Sequence, residues 1–132
     1  MAAQLARLQQ RLPGVIAYQA LDSADLEINA SLKGAGFGDA DLQALAPLAA
    51  RIVRADLSGT AVTDASAPVL AAMVKLKSLR LSGTRISDHG VHALEGAKAL
   101  RSLAVADTGV TAAALAPLKA RGVTVYGGGD GP

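Results

Sequence analysis

The sequence LSGTAVTD at residues 57–64 returns as LSGTRISD at residues 81–88, with five identities in eight positions and a spacing of 24 residues. A third, weaker copy, VADTGVT, occupies residues 105–111 and keeps the apolar first position and the threonine at the fourth. A fixed period of roughly 20–50 residues is typical of repeat arrays, in which each unit buries its apolar face by packing on its neighbours. The sequence therefore predicts a chain built from stacked 24-residue units.

Each unit carries an apolar pattern that predicts a β-strand. Side chains two positions apart point to the same side of a strand, and we expect the paired apolar residues to face the inside of the coil. In three units these residues are Ile52, Ala55 and Leu57; Leu76, Leu79 and Leu81; and Leu100, Leu103 and Val105. Weaker matches at Val15–Tyr18, Leu26–Ile28 and Val123–Tyr126 extend the expected sheet to five or six parallel strands.

Between the strands the apolar residues adopt helical spacing, which predicts an amphipathic helix of about three turns in each unit. A polar residue precedes each helix, and its side-chain oxygen is expected to accept from the free N–H groups of that helix. These residues are Asp39 or Asp41, Asp64, Asp88 and Thr111. Residues 1–14, with Leu5, Leu8 and Leu12 on one face, predict an N-terminal helix that covers the first strand.

Threonines and glycines mark the corners of the units. We expect the hydroxyls of Thr60, Thr84 and Thr108 to bond backbone groups of the turns and to stack as a ladder. Gly34, Gly36 and Gly38 could suggest a phosphate-binding loop. No Lys-Ser/Thr pair follows them, however, so the first unit is interpreted as carrying a four-residue insertion that the glycine-rich residues 32–36 absorb.

The pattern L-x-L-S-G-T-x-[VI]-[TS]-D resembles bacterial leucine-rich repeats of the Thr-Asp type, in particular the repeat module attached to c-type cytochrome membrane proteins, over residues 15–126. The resemblance implies an α/β fold: a short leucine-rich-repeat solenoid, a right-handed β-α superhelix with a parallel sheet of five or six strands. Its domain would span residues 1–126, with the N-terminal capping helix at 1–14, the repeats at 15–126 and a flexible glycine-rich tail at 127–132. A periplasmic, membrane-tethered location is also implied, while the lack of a signal peptide leaves a cytoplasmic one open.

The composition excludes several classes of function. The chain has 132 residues, which fits one domain. It has no cysteine, so disulfides, zinc–thiolate sites, thiol catalysis and covalent haem attachment are ruled out within it. A net charge of +2 and 2% aromatic residues argue against nucleic-acid binding. No apolar run reaches the ~18 residues that cross a bilayer, so direct membrane insertion is not expected. We expect no cofactor and a monomer.

The residues that point outward from the sheet form the predicted partner-binding surface. They are Glu27, Asn29, Arg54, Asp56, Ser78, Arg80, Ser82, Ser102, Thr124 and Tyr126, with Ser58, Ala104 and Ala106 beside them. Asp56 and Arg80 are expected side by side as a cross-strand ion pair. A second set of cations, at strand starts and in loops, is interpreted as a solvated edge, with an acidic partner as the alternative: Lys75, Lys77, Arg85, Lys98 and Arg101.

Two functions are compatible with these patterns. The first is a non-catalytic protein–protein interaction module, not an enzyme, that presents a concave parallel sheet to a protein partner or to another domain of the same polypeptide. It would be part of a larger membrane-associated protein. The alternative is a metal-dependent or hydrolytic accessory protein that uses His89 and His92 beside Asp88, although two histidines fall short of the usual ligand set.

Overall fold

A computed structural model describes residues 16–18 and 25–127 of the protein. Within these ranges six short strands form one sheet and helical segments fill the connections, which makes an α/β structure. The strands are β1 (Ile16–Tyr18), β2 (Leu26–Asn29), β3 (Ile52–Asp56), β4 (Ser78–Arg80), β5 (Ser102–Ala104) and β6 (Thr124–Tyr126). The α-helices are α1 (Asp39–Ala44), α2 (Ala67–Ala71), α3 (Asp88–His92) and α4 (Ala112–Ala120), and 3-10 turns cover Ser31–Gly36, Ala46–Arg51, Asp64–Ser66 and Ala93–Gly96.

Strands β2 to β6 are parallel and follow one another across the sheet in chain order. The five parallel strands predicted from the period are confirmed. Strand β1, however, runs antiparallel to β2, with Ile16 opposite Ile28, so the prediction of a sixth parallel strand was wrong. Residues 19–25 are the whole link between β1 and β2, and a parallel crossover needs about a dozen residues or more.

The core is one cluster of apolar side chains contributed by both the strands and the helices. Leu57, Leu81 and Val105, which directly follow three neighbouring strands, are fully buried in it. The N–H of Leu57 donates to the carbonyl oxygen of Arg80 at 2.8 Å, and the N–H of Leu81 donates to that of Ala104 at 2.7 Å. The predicted inward orientation of the repeated leucines is therefore confirmed.

The helical segments are shorter than predicted. Helix α4 has nine residues, while α2 and α3 have five each, so the prediction of about three turns per unit was wrong for the central units. The connection from β3 to β4 must also hold the turn that leaves one strand and the turn that leads into the next, and only residues 64–71 remain for helix. Pro47, in the 3-10 turn after α1, cannot donate the N–H that a continued α-helix would need.

Three threonines close the turns that follow the strands. The Oγ1 atoms of Thr60, Thr84 and Thr108 donate to the carbonyl oxygen three residues earlier, at 2.7, 2.6 and 2.6 Å. The predicted bonding to turn backbone is confirmed, and each partner lies within the same turn rather than in a neighbouring unit. Asp107 stands in the third turn with φ 55°, where the other two turns have glycine at positive φ.

Asp39 bonds the unit that follows its own. Its carboxylate accepts from the N–H of Thr63 at 2.8 Å, from the hydroxyl of Thr63 at 2.6 Å and from the hydroxyl of Ser66 at 2.5 Å. Burial raises the pKa of Asp39, but the hydrogen bonds outweigh it and the pKa is lowered. At the start of α1 the cap is instead Asp41, whose Oδ2 accepts from the N–H of Gly38 at 3.1 Å.

The same bonding recurs one and two units later, and we call Asp39, Asp64 and Asp88 the aspartate series. The Asp64 carboxylate accepts from the N–H of Ser87 at 2.8 Å, from the Ser87 hydroxyl and from the N–H of Gly90 at 3.1 Å. The Asp88 carboxylate accepts from the N–H and hydroxyl of Thr111 at 2.7 and 2.9 Å. The prediction that these aspartates cap their own helices was therefore wrong. Parallel stacking brings the start of the next helix within reach of each side chain.

Two sequence predictions lie outside the described residues: the capping helix at 1–14 and, apart from Gly127, the tail at 127–132. In the part of the chain that the structure describes, no helix has the length and apolar character needed to span a bilayer. The predicted insertion forms the 3-10 turn Ser31–Gly36. Asn29 anchors this turn, because its Oδ1 accepts from the N–H and the hydroxyl of Ser31 at 3.1 and 2.7 Å.

Candidate functional site

The outward side chains of the parallel strands form two rows across the sheet, which together we call the open face. The register places in the first row Glu27, Arg54, Ser78, Ser102 and Thr124. The second row holds Asn29, Asp56, Arg80, Ala104 and Tyr126. None of these ten residues is buried, so the open face gathers nine of the ten predicted partner-binding residues. The remaining one, Ser82, lies in the turn after β4.

A groove of about 480 Å³ opens over β4, β5 and β6 on this face. Its lining consists of Ser58, Ser78, Leu79, Arg80, Ser82, Ser102, Leu103, Ala104 and Tyr126. Half of the ten predicted residues therefore line one concavity, and the other half lie on the open face beside it. The inward-facing Leu79 and Leu103 were not predicted as part of a site, because their leucine spacing signals only the core.

The shape of the groove follows from side-chain size in the second row. Ala104 lies opposite Arg80 on one side and Tyr126 on the other. Neighbouring strands are about 4.8 Å apart, so the backbones that carry the two large side chains are separated by about 10 Å. Arg80 and Tyr126, which is 59% exposed, are thus the walls, and Ala104 is the floor between them.

Hydroxyl groups supply most of the polar lining. The Ser102 Oγ donates to the Ser78 Oγ at 3.1 Å, and the Ser82 Oγ accepts from the N–H of Ala106 at 3.2 Å. A hydroxyl that accepts a bond keeps its own hydrogen, so Ser78 and Ser82 can still donate to a bound group. The phenol of Tyr126 adds a further donor and acceptor at the opposite wall.

The charges of the open face do not pair as predicted. Asp56 and Arg80 are neighbours in the register, but the Asp56 Oδ1 accepts from the N–H of Ser58 at 3.1 Å. Among the described residues the expected Asp56–Arg80 ion pair does not form, because the short carboxylate side chain turns to the backbone of its own turn. In the neighbouring row the Arg54 Nη1 lies 3.9 Å from the Glu27 Oε1.

The two histidines both lie on helix α3. Both are exposed, and the Nδ1 of His92 lies 3.3 Å from the Glu95 Oε2. The Asp88 carboxylate is occupied by Thr111, whose N–H and then hydroxyl lower the pKa of Asp88; burial opposes this lowering and the charge of His92 adds to it. Residues 16–18 and 25–127 contain no group of three histidine, cysteine or acidic side chains arranged to hold a metal ion.

The second set of cations divides between two ends of the sheet. The Lys75 Nζ lies 3.4 Å from the Asp25 Oδ1. Lys77 and Arg101, which precede β4 and β5, are exposed neighbours whose backbones are joined by a bond of 2.8 Å from the Arg101 N–H. Arg85 lies at the other end, in the turn after β4, where it forms a parallel bridge with Thr63.

The sequence matches no known family model, and no curated protein matches it at a significant level.

Proposed function

We propose that the chain is a short leucine-rich-repeat solenoid, a right-handed β-α superhelix, whose open face is the concave protein-binding surface of a non-catalytic interaction module. Two observations support the solenoid. The 24-residue sequence period coincides with the strand register, as at Ala55, Leu79 and Leu103. The aspartate series also joins each unit to the next through equivalent hydrogen bonds, as expected when stability arises from nearest-neighbour stacking.

The groove between Arg80 and Tyr126 is the observation that carries the proposed function. Arginine and tyrosine are the residue types that contribute most to binding energy at protein interfaces, along with tryptophan. Arg80 follows the fully buried Leu79 on β4, and Tyr126 follows Val125, which is partly buried against the core, so a partner would meet a surface already in place. Hydroxyls and one guanidinium recognise a partner by hydrogen bonds and charge, which fits binding rather than chemistry.

The partner is a protein or another domain of the same polypeptide. A periplasmic, membrane-tethered context for the whole protein rests on the resemblance of residues 15–126 to repeat modules of c-type cytochrome membrane proteins. In that context the open face would bind a neighbouring domain outside the membrane.

Partner capture tests the proposal. The immobilised full chain is exposed to native extract, the captured protein is identified and purified, and its Kd is measured for each variant. We expect the double variant Arg54→Glu/Arg80→Glu to weaken binding by at least about 10-fold, because one charged hydrogen bond contributes that much. Lys98→Glu, an exposed cation away from the groove, serves as the matched control and should bind like the wild type. Full binding by the double variant, with loss on deletion of residues 32–35, would instead assign recognition to the insertion.

A further inference from the structure

Arg80 is the charged residue of the groove. Of the nine residues that line it, the other eight are serines, leucines, an alanine and a tyrosine. The Asp56 carboxylate on the adjacent strand is engaged by Ser58 and is not part of the lining. Among the described residues no carboxylate lies within ion-pair distance of the Arg80 guanidinium, and Arg80 is part of the groove lining.

The width of the groove limits what can lie in it. The walls rise from backbones about 10 Å apart, and part of this distance is taken by the side chains of Arg80 and Tyr126 themselves. An α-helix with its side chains has a diameter of about 10–12 Å and does not fit between them. One extended chain does fit, with Ala104 and Ser102 leaving room for it beneath.

We propose that the groove holds an extended, acidic segment of the protein partner. A carboxylate of this segment is bound by the Arg80 guanidinium, and an apolar side chain next to it packs on the ring of Tyr126. The planar fork of five donors in arginine matches a carboxylate in a bidentate arrangement. This inference rests on the proposed function and names the chemistry that the open face recognises.

The charges in and beside the groove favour a carboxylate over a phosphate as the bound group. Phosphopeptides are bound by clusters of arginines that neutralise nearly two negative charges, and the groove lining supplies a single guanidinium. Asp56, one strand away from Arg80, adds a negative charge that would repel a dianion more strongly than a monoanion. A monoanionic side chain is therefore the better match.

Peptide selection tests this inference with the full chain. The immobilised protein selects from a library of random heptapeptides, and the peptide that is most enriched is synthesised with a fluorophore. Its Kd is then measured by fluorescence anisotropy for the wild type, for Arg80→Gln and for the matched control Arg85→Gln, an exposed arginine outside the groove lining. A second peptide carries Gln or Asn in place of each acidic residue.

The enriched peptides are expected to share an acidic residue next to an apolar one. Arg80→Gln should weaken binding by about 10–100-fold, as loss of a charged hydrogen bond does, while Arg85→Gln should change the Kd by less than about twofold. The neutral peptide should bind Arg80→Gln about as tightly as it binds the wild type. The change in the peptide and the change in the protein remove the same contact, so their effects should not add.

A selection that enriches no peptide, enriched peptides without a shared acidic residue, or equal binding by Arg80→Gln would overturn the inference. Enrichment of neutral peptides whose affinity falls on Tyr126→Ala would also overturn the inference, but it would leave the open face as the binding surface. Full partner capture by Arg54→Glu/Arg80→Glu refutes the open face itself. Sedimentation velocity tests whether a second copy of the chain occupies the groove. A dimer that Arg80→Gln dissociates would show that it does and would overturn the inference.

Discussion

Replacing Asp39 by alanine removes the acceptor of three hydrogen bonds that join the first unit to the second. Their lengths are 2.8 Å to the Thr63 N–H, 2.6 Å to the Thr63 hydroxyl and 2.5 Å to the hydroxyl of Ser66. The half-buried Thr63 hydroxyl can turn to water, but the Thr63 N–H is fixed and Ser66 is fully buried. Each buried donor left without a partner costs about 1–3 kcal/mol, so we expect Asp39→Ala to lower the free energy of unfolding by about 2–4 kcal/mol.

Urea unfolding followed by far-UV circular dichroism measures this loss. With a typical slope of about 1–3 kcal/mol per molar urea, the midpoint should fall by about 1–2 M. Asp56→Ala is the matched control, because it removes a single bond of 3.1 Å to the N–H of Ser58 and should cost less than about 1 kcal/mol. Equal losses for the two variants would refute the stacking role of Asp39.

Asp39 also gives the protein a dependence of stability on pH. Burial raises the pKa of its carboxyl, but the three hydrogen bonds lower it further than burial raises it. The folded chain therefore binds the proton less readily than the unfolded chain, and stability present above about pH 4 is lost as the pH falls through the lowered pKa. The stability advantage of the wild type over Asp39→Asn should shrink between about pH 5 and pH 2. An advantage that stays constant over this range would contradict the assignment.

Four further substitutions test the packing by the same urea measurement. Leu81→Ala removes a fully buried side chain and should cost about 2–5 kcal/mol, whereas Arg80→Ala, one residue earlier and exposed, should cost less than about 1 kcal/mol; similar losses would reverse the inward and outward assignment. Gly90→Ala should destabilise by about 1–3 kcal/mol, because the new Cβ would lie 2.6 Å from the Asp64 Oδ1; an unchanged midpoint would show that this contact relaxes. Asp107→Gly should stabilise by about 0.5–1 kcal/mol, since it relieves a positive φ of 55°; a lower midpoint would count against strain at that turn.

The period was enough to predict the central sheet and most of the open face. A constant spacing of 24 residues fixes which residues stand side by side, so Ser78 and Ser102 could be placed in one row from the sequence. The direction of β1 could not be predicted in this way. The weaker match at Val15–Tyr18 indicated a strand but not its direction, and the short link at residues 19–25 determined the antiparallel pairing.

The aspartate series and the groove needed the three-dimensional structure. The sequence shows that Asp64 precedes a helical stretch, and a local cap is the simplest interpretation of such a residue. Its actual donors, Ser87 and Gly90, lie 23 and 26 residues away and become neighbours only when the units stack. The groove likewise depends on Ala104 lying between two large side chains. Because the last unit is shorter than the others, only the strand register shows that Tyr126 lies beside Ala104.

The aspartate series also bears on where further units could be added to the chain. In the central units the residue that donates to the preceding aspartate is followed directly by the next aspartate, as Ser87 is followed by Asp88. Thr111, which donates to Asp88, is followed by Ala112, which has no side-chain oxygen. An in-frame duplication of residues 64–87 would bring its own donor and acceptor, so every bond between units would be preserved. Gene duplication can therefore lengthen this protein from its middle with all of these bonds kept, whereas a unit stacked on the last one would lack the bond that an aspartate at position 112 would accept.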